Sequence, residues 1–192
     1  MSEASDIRPV RDSRIVPVMA ATRISPIVSL HCEMMGSAES AFPATQAVES
    51  YWREFDGLDG EMAIREAARP RVAALLASAD QLVAPWTETV RAALRTIMGV
   101  LELSDEDSRT HTVVIEAALA VAYELDQCGL NPPVDAATWV AFETACHTDA
   151  SSRVMSSAAP LSPSDLFDLS LSAGVDGMQY HRALKEWSQE NN

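Results

Sequence analysis

Lysine is almost missing from this chain: of its fourteen basic residues only Lys185 is one, and arginine supplies the rest. Together with the many alanines, this reads as a bacterial-like, GC-rich coding bias and carries no chemistry. Glycine is also scarce, at seven residues. Loops that cradle phosphate groups need several glycines close together, and the sequence contains no G-x-x-x-x-G-K-[ST], no G-x-G-x-x-G and no G-x-S-x-G. Nucleotide-binding loops and the hydrolase nucleophile turn are thereby excluded. Cysteine numbers three (Cys32, Cys128 and Cys146), an odd and sparse set that makes no disulfide framework and fits a reducing compartment. No long apolar run is present either. Pro17, Arg23 and Pro26 interrupt the N-terminal candidate for a signal peptide. The longest central run carries Glu116 and Glu124 and falls short of the roughly 18 residues a membrane span needs. These absences lead to the expectation of a soluble cytoplasmic protein with no membrane association.

What the sequence does contain is acid. The formal net charge is −14 over 192 residues. A surface of that sign repels nucleic-acid phosphates and attracts basic partners. The charge is uneven. Residues 101–149 hold ten acidic residues against Arg109 alone, a net of −9. Residues 1–24 carry four arginines against three acids and are slightly positive. That segment also holds Pro9, Pro17 and the apolar Ile15, Val16, Val18 and Met19, which predicts an irregular or extended arm lying on its own body or on a partner.

Helical periodicity dominates beyond it, so the fold expected is an all-α, single-domain helical bundle over residues 25–192. Its centre is expected to be an apolar helix over about 105–128, because VVIEAALAVAYELDQC is hydrophobic on most faces. Ser104 is placed to cap that helix, with Asp105, Glu106 and Asp107 in its first turn, and Gly129 is placed to end it. Ser25-Pro26 predicts a short helix over 26–35, and Pro43 opens the next. Pro70 predicts a kink or restart in the helix that begins near Glu61. Asp135 is the expected cap of a helix whose face carries Trp139, Phe142 and Cys146. Residues 148–162, rich in Ser, Thr and Ala, predict an internal loop. Ser162-Pro163 starts a helix to about Leu171, Ala173-Gly174 makes a turn, and Asp176 with Gln179 forms the capping box of a last helix.

Candidate chemistry is thin. His31-Cys32-Glu33 gives an H-x-E pattern, yet a zinc deaminase also needs a later P-C-x-x-C, which is absent. His31, Cys32, Cys146 and His147 have the right donors for zinc, but neighbours on a helix point about 100° apart and chelate one ion poorly. Glu143 and His147 stand four apart, where carboxylate-bridged metal centres use three. No cofactor is expected. The leading expectation is a noncatalytic, acidic protein-binding module (adaptor, inhibitor, immunity-type or chaperone-type) for a basic protein surface. Asp105, Glu106, Asp107, Glu116, Tyr123 and Glu124 are its contact candidates, and the strip Glu116–Ala120–Tyr123–Gln127 marks the face. The alternatives are a small helical enzyme or accessory subunit with an interhelical pocket, and a transcriptional regulator using the C-terminal hairpin as a helix-turn-helix.

Overall fold

The structure, a computed structural model, describes residues 13–79, 86–103, 108–156 and 161–190. Among them the chain forms seven α-helices and a short 3-10 turn, Ala38–Ala41, with no strand. The helices are α1 (Ile15–Met34), α2 (Phe42–Phe55), α3 (Glu61–Ala79), α4 (Thr87–Leu101), α5 (Ser108–Gln127), α6 (Trp139–Ser156) and α7 (Pro163–Glu190). The all-α bundle is therefore as expected.

Its interior differs from expectation at the N-terminus. The positive segment is not an irregular arm where it is described: Ile15 to Ile24 are the first half of α1, and Val18, Ala20, Ala21 and Ile24 are completely buried. Residues 1–12 lie outside the described residues. α1 packs against α2, α4, α5, α6 and α7. By length and composition it is apolar enough to cross a membrane, and here most of it is buried inside the bundle. Pro17 sits in the first turn, where backbone N–H groups have no intrahelical acceptor to lose. Pro26 removes a donor in mid-helix and orphans the Thr22 carbonyl. The Ser25 hydroxyl donates to that carbonyl at 3.1 Å, and so the helix runs through. The expected short helix 26–35 is its second half. In α3, Pro70 and Glu66, whose carbonyl it orphans, are both exposed, and this helix also continues unbroken.

α5 packs on α4, α1 and α6 with Val114, Ala118, Val121, Ala122 and Leu125 fully buried. Its expected cap Ser104 and the acids Asp105, Glu106 and Asp107 lie outside the described residues. Its C-terminus matches expectation: Gly129 has φ +71°, Leu130 N–H bonds Leu125 O at 3.1 Å, and Gly129 N–H bonds Asp126 O at 3.1 Å. The start of α6 does not match. Asp135 is no cap, and Val134 before it is fully exposed. Asp126, at the end of α5, reaches across and accepts from the backbone N–H of Trp139 (2.8 Å) and Val140 (3.1 Å), and Thr138 Oγ1 accepts from Ala141 (3.0 Å). Three orphan donors of one helix are thus met partly by its predecessor.

The expected loop 148–162 is helix as far as Ser156, and hydroxyls within it turn back on the helix. Thr148 and Ser156 each donate to the carbonyl four residues earlier. The expected C-terminal hairpin is absent: α7 is one helix of 28 residues, about 42 Å long. Ser162 and Asp165 form a capping box at its start, with Asp165 N–H on Ser162 Oγ (3.2 Å) and Ser162 N–H on Asp165 Oδ2 (2.8 Å). Ala173 and Gly174 are ordinary helical residues within it. Asp176 caps nothing, and the regulator reading loses its helix-turn-helix.

Candidate functional site

The most polar place in the core is where α1, α6 and α7 meet. Arg23, Glu143 and Tyr180 there are fully buried, and His147 nearly so. Arg23 arrives from the middle of apolar α1. The buried face of α6 is Trp139, Glu143, His147, Ala150 and Val154, not the expected Trp139, Phe142 and Cys146. That face therefore brings a carboxylate and an imidazole one turn apart to the guanidinium. Arg23 donates through Nη2 to Glu143 Oε1 at 2.7 Å and through Nε to Oε2 at 3.2 Å. Tyr180 donates its hydroxyl to Glu143 Oε2 at 2.6 Å. His147 Nε2 lies 3.0 Å from Glu143 Oε1 but off the line a hydrogen bond needs, and its Nδ1 lies 3.4 Å from Arg23 Nη2. Since guanidinium only donates, that contact has Nδ1 as the acceptor. Trp139 stacks on Tyr180 at 4.8 Å and closes the site on one side.

The electrostatics follow from burial against pairing. Burial pushes the Glu143 carboxyl up, but the Arg23 charge, the close approach of His147 and the Arg23 hydrogen bonds outweigh it and hold the group at about 2. Burial opposes the charge on Arg23, and Glu143 restores it and raises its pKa. The Tyr180 hydroxyl is pushed well up by burial and by the neighbouring Glu143 charge, so it stays a donor. Cys146 is driven up to about 12, first by burial, with the Arg23 charge opposing and Asp176 and Glu143 adding to the rise. Its sulfur is 3.6 Å from Asp176 Oδ2. Such a thiol is a poor nucleophile and a poor metal ligand. The ion pair, the hydroxyl and the stacked rings hold one another in place, while Arg23 Nη1 and His147 Nε2 are buried without a hydrogen-bond partner.

The four candidate zinc donors do not meet. His31 and Cys32 lie at the far end of α1, about 12 Å along the helix from Arg23, while Cys146 and His147 stand beside Arg23. His31 packs edge-on against Trp86 with ring centroids 6.0 Å apart, and its pKa is lowered by burial. Burial also raises the Cys32 thiol. Among the described residues no three His, Cys, Asp or Glu side chains gather to hold a metal ion.

The contact candidates on α5 are outward-facing. Glu116 and Tyr123 are exposed, as are Ala120 and Gln127 between and beyond them, and Glu124 is half-buried. A second surface was not anticipated. α7 presents Phe167, Leu171, Val175 and Met178 to solvent, each more than half exposed, at spacings of four, four and three. They wall a groove of about 470 Å³ between α7, Thr22 and Pro26 of α1, and Val48, Glu49 and Trp52 of α2. The stripe is about 16 Å long. The 167/171/175/178 spacing was available in the sequence, but the false turn at Ala173-Gly174 cut it in two. The Arg23–Glu143 pair also left a trace: a lone arginine in the most apolar N-terminal stretch needs a buried acid.

Set against family models, curated proteins and solved structures, the chain matches none of them.

Proposed function

We propose that this protein is a noncatalytic binding module whose α1–α2–α7 groove takes an amphipathic helix of a basic protein partner. The observation that carries the reading is the continuous exposed apolar stripe Phe167–Leu171–Val175–Met178, set beside reactive-type side chains that are buried and paired. An apolar row at helical spacing along an open groove is the receptor half of a helix-in-groove contact. The charge argues for the partner's sign. The one ionised residue lining the groove is Glu49, Asp168 stands exposed beside the stripe, and the whole chain is at −14. The acidic strip on α5, with Glu116 and Tyr123 outermost, adds long-range attraction that speeds encounter.

Two designed helical peptides test this. Both carry leucines spaced four, three and four residues apart, one flanked by lysines and the other by glutamates. The lysine peptide is expected to bind at least tenfold more tightly at low salt, and to weaken steadily as salt rises. Equal affinity for the two, or affinity indifferent to salt, contradicts a basic partner. A mass that doubles with protein concentration and blocks both peptides makes a second copy of this chain the occupant.

A further inference from the structure

All seven glycines of the chain fall among the described residues, and six of them have a reason inside the fold. Gly36, Gly57, Gly60 and Gly129 have positive φ, where a side chain is strained. Gly99 and Gly177 lie in helices where a Cβ would stand 2.8 Å from Val114 Cγ2 and 2.9 Å from the Arg23 carbonyl oxygen. Gly174 is the exception. Its backbone is helical, it sits inside α7, and a Cβ there would meet nothing within 4 Å. Glycine in a helix interior is less stable than alanine. The chain therefore carries a destabilising residue beside a space that no described atom of its own fills.

Gly174 lines the α1–α2–α7 groove. It stands one helical turn from both Leu171 and Met178, and the three share the face turned to that groove. Leu171 and Met178 are exposed and form the rim, whereas Gly174, Thr22, Ser25 and Trp52 are half-buried and form the floor. The floor is apolar in spite of its hydroxyls. Trp52 Nε1 donates to Thr22 Oγ1 at 2.9 Å, Thr22 Oγ1 donates to Val18 O at 2.8 Å, and Ser25 Oγ donates to Thr22 O at 3.1 Å. Each of these groups has one polar hydrogen, and each is used within the fold. Methyl, methylene and indole surface is what remains for a ligand.

We infer that Gly174 is the seat of the partner helix's anchor, one bulky apolar side chain that enters the groove where any side chain at position 174 would stand in its way. The inference rests on the helix-binding reading of this groove and adds to it the place and the size of the anchor. Binding energy in such contacts concentrates on one or a few large side chains set in a pocket, with the surrounding rim excluding water. Leu171 and Met178 are that rim here, and Glu49 with the exposed Asp168 keeps the partner's flanking residues basic.

The experiment uses the full chain and the lysine-flanked leucine peptide, with four further peptides in which one leucine each is changed to alanine. Affinities are measured by calorimetry for the native protein, Gly174→Ala and Gly174→Leu, and each protein is melted alone. Gly174→Ala is expected to melt higher than the native protein and yet to bind the peptide at least about threefold more weakly, because its methyl group overfills the seat. Gly174→Leu is expected to bind at least about tenfold more weakly. One leucine of the peptide should be coupled to the site: its change to alanine weakens binding at least about tenfold with the native protein and less than about threefold with Gly174→Leu. Unchanged affinity in Gly174→Leu, or losses at every leucine that are the same in both proteins, overturns the anchor at Gly174 and leaves the groove reading standing. A lower melting temperature for Gly174→Ala also overturns it, since the glycine then serves the fold. No binding of the peptide to the native protein, even at low salt, overturns the groove reading and the anchor together.

Discussion

Arg23 and Glu143 are both charged and both sealed from water, and the cost of taking two ions out of solvent is several kcal/mol each unless they satisfy one another. Arg23 and Tyr180 both donate to the carboxylate and meet that condition on the acid's side, while Arg23 Nη1 is left without a hydrogen-bond partner. Glu143→Ala would strand the guanidinium, and a loss of about 3–5 kcal/mol in urea unfolding is the expected result. The double change Arg23→Met with Glu143→Leu should recover most of that loss, because it removes both desolvation costs and keeps the volume. The pH dependence has a definite sign. A carboxyl held at about 2 when folded, against 4.5 when free, contributes stability that is fully present above 4.5 and is lost as pH falls from there toward 2. Unfolding free energy measured from pH 6 to pH 2 should therefore fall more steeply in the native protein than in the double variant. The thiols give a further check. Cys32 is buried and Cys146 is pushed up to about 12, so a thiol reagent at pH 8 should modify no more than one of the three cysteines until denaturant is added. Rapid reaction of all three in the folded state would contradict this packing. Little of this network was legible beforehand. Glu143 and His147 were visible as a pair four apart, but their partner lies 120 residues away on α1, and no local pattern reports a contact at that separation.

At the scale of elements, the starts and stops written in local chemistry were readable and the proline and serine signals misled. Gly129, with positive φ, ends α5 where glycine was expected to, and Pro43 and Ser162-Pro163 open helices as expected. Pro26 and Pro70 read as breaks because an isolated helix loses about 3 kcal/mol at an interior proline. In α1 the burial of Ile24, Ile27 and Val28 around Pro26, together with the Ser25 hydroxyl on the orphaned carbonyl, offsets that loss. α7 misled in the same way, since Ala173-Gly174 resembles a turn and is continuous helix. Two glycines in α7 make this testable with opposite signs. A Cβ on Gly174 meets nothing within 4 Å, so Gly174→Ala should stabilise by about 0.5–1 kcal/mol, as alanine does in any helix interior. A Cβ on Gly177 would stand 2.9 Å from the Arg23 carbonyl oxygen, a backbone atom of α1. Gly177→Ala should therefore destabilise by about 1–3 kcal/mol despite its better helix propensity. Thermal melting reads both, at about 2–4 °C per kcal/mol for a chain of this size. A loss in Gly174→Ala would restore the turn and the hairpin.

For the whole molecule, composition foretold the class and charge pattern, while the choice of central helix depended on packing that composition does not report. VVIEAALAVAYELDQC marked α5 as a core helix, and its buried residues fit that. Yet its Glu116–Ala120–Tyr123–Gln127 strip is open, whereas α1, cut up in the sequence by Pro17, Arg23 and Pro26, is enclosed by five other helices. Burying α1 brings its charge into the core, while the α5 strip and the apolar groove beside α7 stay open to solvent. In this account the groove serves recognition and contributes nothing to folding. A buried leucine changed to aspartate would unfold a marginal domain, while an exposed docking leucine changed the same way leaves stability alone. Leu171 stands at the middle of the stripe, 54% exposed. The most direct measurement is the affinity of Leu171→Asp for the lysine-flanked helix, taken on protein whose melting temperature has been recorded. At least a tenfold loss of affinity is expected, with melting within about 2 °C of the native protein. Unchanged affinity, or a collapse of the fold, would contradict it.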